Sequence, residues 1–173
     1  ALGDHSFPYW QKVRPSGKVI AFEACEEFYK CLRYNCPEVE CYRAILWDQL
    51  TTLYINQALG NMGASYVSRH AIGEESVGPI RTMVVDSMNL PRLDFVKLDL
   101  EGSEWYALKG MESTIKRCRP KMVIEMNPDC AARYGLSNSD VFSFLDSVGY
   151  DWDSIRNNPG KYCHFCDILA WPK

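Results

Sequence analysis

The chain has 173 residues, 47% of them hydrophobic and 24% charged, with a formal net charge of −3. That balance fits one globular domain of ordinary composition, spanning 1–173. It excludes a membrane-spanning helix, which needs about 18 apolar residues in a row, and it offers no basic stripe for a phosphate backbone.

Residues 1–10 (ALGDHSFPYW) have neither the basic nor the apolar part of a signal peptide. Residues 18–23 (KVIAFE) form a short apolar run closed by an acid, which reads as a buried strand. Residues 26–35 (EEFYKCLRYN) place Phe28, Leu32 and Cys31 on one helical face, with Pro37 just beyond the expected stop. Residues 39–47 and 51–56 read as strands. The stretch 58–79 holds several glycines and no helical period, so it reads as a long functional loop. Strand character resumes at 80–86 and is strongest at 94–100. A helix is expected from Ser103, as its N-cap, to about Cys118, then a strand over 122–126. Ser137 or Ser139 caps a helix that stops at Gly149. Residues 150–155 and 163–171 form a last strand pair around the turn Asn157-Asn158-Pro159-Gly160.

Strands and helices thus alternate, and the order predicts an α/β fold with a mostly parallel sheet and an antiparallel hairpin at its C-terminal edge. The eight cysteines fit no zinc spacing. Cys163 and Cys166 form a lone CxxC in a predicted strand, where side chains three apart face opposite ways. They are expected to be reduced, structural thiols of a cytoplasmic protein, with no metal centre.

In open α/β sheets, ligands bind beyond the carboxyl ends of the strands. Three runs end there in acids: Glu23, Asp99 and Glu125. An acid at a strand end is costly to bury without a partner. The two oxygens of Glu23 suit the vicinal diol of a ribose, although Glu23 also stands where it can cap the following helix. In 94–104 (DFVKLDLEGSE), Lys97 and Asp99 alternate with Val96, Leu98 and Leu100, so they share one face and are expected to pair. Gly102 allows a sharp turn. Glu101 and Glu104 stand where a helix N-terminus favours negative charge. The histidines His5, His70 and His164 carry little signal.

The segment DFVKLDLEGSEWYALKGMESTIKRCRPKMVIE resembles the signature half of the FkbM-type methyltransferases. Lys97, Asp99, Glu101, Gly102, Glu104, Leu108, Gly110, Arg119, Pro120 and Glu125 all fit the family's pattern. Earlier, GKVIAFEACEEFYKCLRYN matches it at Phe22, Glu23, Phe28, Leu32 and Asn35, with Ala24 where a proline is usual, and Asn61-Met-Gly63 resembles its N-x-G element. The resemblance implies a Rossmann-like class I methyltransferase sheet and S-adenosylmethionine (S-adenosyl-L-methionine) as cofactor. It implies methyl transfer to a hydroxyl oxygen of a small molecule or glycan. Asp99, Glu101, Glu125 and Lys97 are then the catalytic candidates. Gly3, Asp4, Glu23, Ala44 and Asp99 are the cofactor-binding ones, with the backbone at Ala44 along the adenine. Ala1-Leu-Gly-Asp-His5 looks like the tail of the family's glycine loop, so the first central strand is expected to lie outside this sequence, and cofactor binding by the chain as given to be weak.

Three other readings compete. Asp86, Asp99, Glu101 and Glu125 offer the oxygen ligands of a metal-dependent hydrolase. A degenerate domain kept for interaction would expose some of Tyr9, Trp10, Trp47, Tyr54, Trp105 and Tyr106. A nicotinamide-dependent oxidoreductase also uses an acid after its second strand, but gives the KLDLEG cluster no task.

Overall fold

In the computed structural model, residues 3–57, 65–155 and 166–173 are described. Asn61-Met-Gly63, the turn 157–160, Cys163 and His164 lie outside them. The chain falls into two compact units, one of residues 1–45 and 51–82, the other of 46–50 and 83–173.

The first unit opens with helix α1 (Ser6–Val13), strand β1 (Ile20–Phe22), helix α2 (Glu26–Asn35) and strand β2 (Glu40–Tyr42). The reading of 18–35 holds: α2 spans the predicted residues, and β1 pairs with β2 in parallel. Leu32 is buried on the inner face of α2 with Cys36, Val39 and Cys41, and Trp10, Val19, Ala21 and Tyr29 pack against them. Cys31, expected on that face, is exposed. Helix α1 carries no buried residue and no hydrophobic period signalled it; Pro8 is tolerated in its first turn, where amides have no helical acceptor.

The expected long loop contains two strands. β3 (Ile45–Leu46), β4 (Thr52–Asn56), β5 (Tyr66–Ser68) and β6 (Ser76–Met83) form a sheet of order β3-β6-β4-β5. β6 was hidden by Gly78 and Pro79, residues that normally punctuate strands. They fall where the β4–β6 register shifts, between the Leu53↔Ile80 and Ile55↔Val77 pairs, so an irregularity absorbs them while the ladder continues.

In the second unit, the chain turns after β6 into a short 3-10 helix (Val85–Met88), where strand was expected to run to Asp86. Then follow β7 (Phe95–Leu98), helices α3 (Glu104–Lys109) and α4 (Glu112–Cys118), β8 (Lys121–Met126), helices α5 (Pro128–Ala132) and α6 (Asn138–Ser147), and strands β9 (Tyr150–Ser154) and β10 (Cys166–Pro172). The sheet order is β7-β8-β10-β9. β7 and β8 are parallel, and β10 runs antiparallel to both β8 and β9.

The C-terminal antiparallel hairpin is therefore present, with β9 at the edge. The mostly parallel sheet is not: antiparallel pairings predominate among those described. Among the described residues the fold is mixed α/β with three sheets.

Alternation decides what each face of the second sheet does. Leu98, Met122, Ile124, Ile168 and Ala170 are buried on one face, each large side chain contributing about 1.5–3 kcal/mol. Lys97, Val123, Glu125 and Asp167 alternate with them and therefore share the other face.

The single helix predicted over 103–118 is interrupted at Gly110. A Cβ there would stand 2.0 Å from the Trp47 carbonyl oxygen, so only glycine permits this approach. Asp86 then starts a new helix, its carboxylate accepting from Ser113 N–H at 3.0 Å and Thr114 N–H at 2.8 Å. α6 begins with the expected Ser137, in a capping box with Asp140, and the chain leaves it through Gly149 at φ 75°.

Candidate functional site

The second unit gathers its acids at the carboxyl ends of β7 and β8. Between β7 and α3, Glu101 and Gly102 take left-handed backbone angles, φ 54° and 98°. For Gly102 this is obligatory on steric grounds too, since a Cβ would lie 2.3 Å from the Cys130 carbonyl carbon. Glu104, 4% exposed, is the clamp of this turn: Oε1 accepts from Leu100 N–H at 2.7 Å and Gly102 N–H at 3.3 Å. Burial pushes its carboxyl up, while the amides act in the opposite direction. The turn thus differs from the sequence reading in two respects. Glu104 organises the loop rather than merely meeting a helix dipole, and Ser103 makes no side-chain cap but donates to the Leu100 carbonyl at 3.0 Å.

Lys97 and Asp99 pair, with Nζ 3.4 Å from Oδ2. The lysine has a second partner, Asp167 Oδ1 at 3.3 Å. Asp167 was missed because its proximity depends on β10 lying beside β8, which places it opposite Glu125; nothing local in CDILAW signals that register. Oxygens of Asp99, Glu101 and Glu125 all lie within 4.8 Å of one another. Burial, followed by the charges of Asp99, Glu101 and Glu104, pushes the Glu125 carboxyl up to about 8. Burial also raises Glu101, which accepts from Cys130 Sγ at 3.5 Å and feels Arg133. The Cys130 thiol is pushed up to about 11 by its burial, so it stays a neutral donor.

That spacing of oxygens is one a hard cation accepts, but each acid already has a partner in the protein. Asp99 has Lys97, Glu101 has Cys130 and Arg133, and Glu125 is hydrogen-bonded with Asp99. Asp86, the fourth acid of the metal-hydrolase reading, is committed to the start of α4. The cluster stays acid-rich, with Lys97 and Arg133 balancing it only in part.

Of the six aromatic residues in the interaction-module reading, Trp47 is buried and the others are half-buried, and Trp47 stacks on Tyr106 at 3.9 Å between ring centroids. His5 and His70 are exposed.

In the first unit, Glu23 ends β1 and is half-buried, with Oε1 accepting from Cys25 N–H at 2.9 Å. It does serve the start of α2, as the alternative reading had it. Burial nevertheless pushes its carboxyl up, beyond what the amides of Cys25 and Ala24 offset. A carboxylate so placed gains from further neutral donors. Hydroxyl groups are donors of that kind. Ala44 is buried between β2 and β3.

Gly3 and Asp4 are not brought to Glu23. Gly3, at φ 100°, packs on the other end of α2, where a Cβ would meet Cys36 Sγ at 2.6 Å. The ten residues of α2 separate the two positions by about 15 Å. Gly3 and Asp4 instead line an open hollow of ≈ 310 Å³ with Phe7, Pro8, Asn35 and Cys36.

Open α/β sheets bind their ligands beyond the carboxyl ends of the strands, which is where these acids gather. Comparison makes the assignment specific: the methyltransferase FkbM domain family matches residues 3–152, and the chain belongs to that family. Its fold is similar to the crystal structure of methyltransferase FkbM from Methylobacillus flagellatus KT, at 16% identity and a TM-score of 0.61. The likeness covers 99% of this chain and 41% of that one, so the chain spans less than half the length of that structure. Comparison with curated proteins finds no match. No helix among the described residues is long and apolar enough to cross a membrane.

Proposed function

We propose that the protein transfers a methyl group from S-adenosylmethionine to a hydroxyl oxygen of a sugar or other small metabolite, in the cytoplasm. The observation that carries this reading is the acid cluster of Asp99, Glu101 and Glu125 at the strand ends of an FkbM-family chain, balanced by Lys97. The sheet order β7-β8-β10-β9, with its reversed C-terminal strand, supports a class I Rossmann-like arrangement.

The cofactor supplies an already activated methyl group, so the protein's work is alignment and proton removal. Glu23 accepts hydrogen bonds from the ribose hydroxyls, and the backbone at Ala44 lies along the adenine. Asp99 receives the acceptor's hydroxyl proton. It is the most accessible acid of the group, its side chain 44% exposed, and general bases of this kind contribute about 10²–10⁴-fold in rate. Lys97 fixes the Asp99 carboxylate, and Glu101 completes the acidic wall, which disfavours acceptors bearing phosphate or carboxylate beside the reacting hydroxyl.

Calorimetry of the intact protein with S-adenosylmethionine, followed by mass-spectrometric detection of methyl transfer to a panel of neutral sugars and hydroxylated metabolites, tests the reading. Binding abolished in Glu23→Ala, and turnover lost without loss of binding in Asp99→Asn, is the expected pattern. Absence of cofactor binding by the intact wild-type protein would return the domain to an interaction role.

A further inference from the structure

Asp99, Glu125 and Asp167 stand abreast across three strands. Asp167 lies opposite Glu125 in the β8–β10 register, and Leu98 lies opposite Ile124 in the β7–β8 register, which brings Asp99 beside Glu125. Lys97 serves the two outer acids, at 3.4 Å and 3.3 Å. Glu125, between them, has no ion pair of this kind, and its Oε2 is buried with no hydrogen-bond partner.

A cavity of ≈ 10 Å³ adjoins Glu125 and is lined also by Asn127, Ser137 and Asn138.

Resting on the methyl-transfer reading, we propose that Glu125 is a positioning residue: as a neutral carboxylic acid it donates a hydrogen bond to Asp99 and fixes that carboxylate as the receiver of the acceptor's proton. Among the described residues, Glu125 is neighboured by Lys97 of β7 and Asp99 just beyond it, Glu101 and Glu104 of the turn and α3, Asp167 of β10, and Cys130 of α5 with Arg133 just after it; the two cations favour the ionised form and the acids oppose it. Negative charge outnumbers positive among them, and the lysine sits on the flanking acids, so a proton on Glu125 relieves the row where a second anion would add to it. Burial and the charges of Asp99, Glu101 and Glu104 push this carboxyl up to about 8.

The test compares the intact wild-type protein with Glu125→Gln and Glu125→Ala. Difference infrared spectra near neutral pH should show a protonated-carboxyl C=O band in the wild type that is missing from both variants and fades in the wild type as pH passes about 8. In methyl transfer, Glu125→Gln, which keeps a neutral donor, should retain wild-type kcat within about threefold and lose the wild-type change in the pH profile above neutrality. Glu125→Ala should lower kcat by about 10–100-fold, the usual scale for residues that orient a reacting group, with acceptor KM changed less. Absence of the infrared band, or a glutamine variant that folds normally yet is as slow as the alanine variant, overturns the proposal. If the wild type transfers no methyl group at all, the functional reading fails instead, and the infrared band still decides whether Glu125 holds the proton.

Discussion

Glu104→Ala tests whether the turn between β7 and α3 is held by a single buried side chain. The Glu104 carboxylate accepts from the amides of Leu100 and Gly102, at 2.7 Å and 3.3 Å, and is 4% exposed. Truncation leaves two amides without their acceptor in a place water reaches poorly. Each such buried group costs about 1–3 kcal/mol, so the gross loss is about 2–6 kcal/mol. Against this stands the relief of removing an acid that burial disfavours, which brings the expected net loss to about 3 kcal/mol by the same range. Glu104→Gln keeps one acceptor oxygen and should lose only about 1 kcal/mol. Urea unfolding near neutral pH reads both values, provided the dependence on urea is unchanged between variants. Because Asp99 and Glu101 flank the same turn, turnover should fall in the same order. An alanine variant within about 0.5 kcal/mol of wild type, the range of ordinary surface changes, would refute the clamp.

Four further outcomes follow from the geometry. Gly110→Ala drives a methyl group into the Trp47 carbonyl, 2.0 Å from the position of the new Cβ, and should destabilise by at least about 1–3 kcal/mol in thermal or urea unfolding. Asp86→Ala removes the acceptor for Ser113 and Thr114 N–H and should cost about 1 kcal/mol, with Asp86→Asn milder. Glu125 links stability to pH: its folded-state value of about 8 exceeds the ordinary 4.5, so the folded protein keeps a proton that the unfolded chain releases. That contribution is complete below about 4.5 and is lost as pH rises towards about 8, and Glu125→Gln should flatten the decline seen in wild-type unfolding over that window. Chelators should leave methyl transfer unchanged; loss of activity restored by Mg²⁺ would reinstate a cation at the acid cluster.

How much of this was legible in the sequence depended on whether a feature is set by near neighbours in the chain. The alternation of Lys97 and Asp99 with Val96, Leu98 and Leu100 assigns both side chains to one face, and their ion pair follows from that spacing alone. α2 was legible because its apolar period, its acidic first turn and the following Pro37 agree. Local signals failed where tertiary contact overrode them. Gly78 and Pro79 indicate a loop when read alone, but the register shift opposite Tyr54 lets a strand pass through them. The residues 103–118 have helical character throughout, yet the Trp47 carbonyl and the Asp86 carboxylate divide them at Gly110. Gly3 and Asp4 were assigned by resemblance to a loop, whereas their observed place is set by packing on Cys36 at the far end of α2.

The C-terminal strand shows why site composition exceeds what motifs contain. Every residue of the family signature within 94–125 comes from the stretch that runs from β7 to β8, in which Lys97 is the lysine that meets the acids. By inserting antiparallel between β8 and β9, β10 sets Asp167 on the same row and divides the charge of Lys97 between two carboxylates. Without Asp167, the lysine would be free to turn wholly to Asp99 or towards Glu125, and the row would have less reason to keep a proton. Asp167→Asn, which preserves shape and removes that charge, should accordingly lower the pH at which Glu125 ionises, a displacement that infrared titration of the carboxyl band would detect. An unchanged titration would mean that burial and the charges of Asp99, Glu101 and Glu104 govern the proton on Glu125 without a part for the charge on β10.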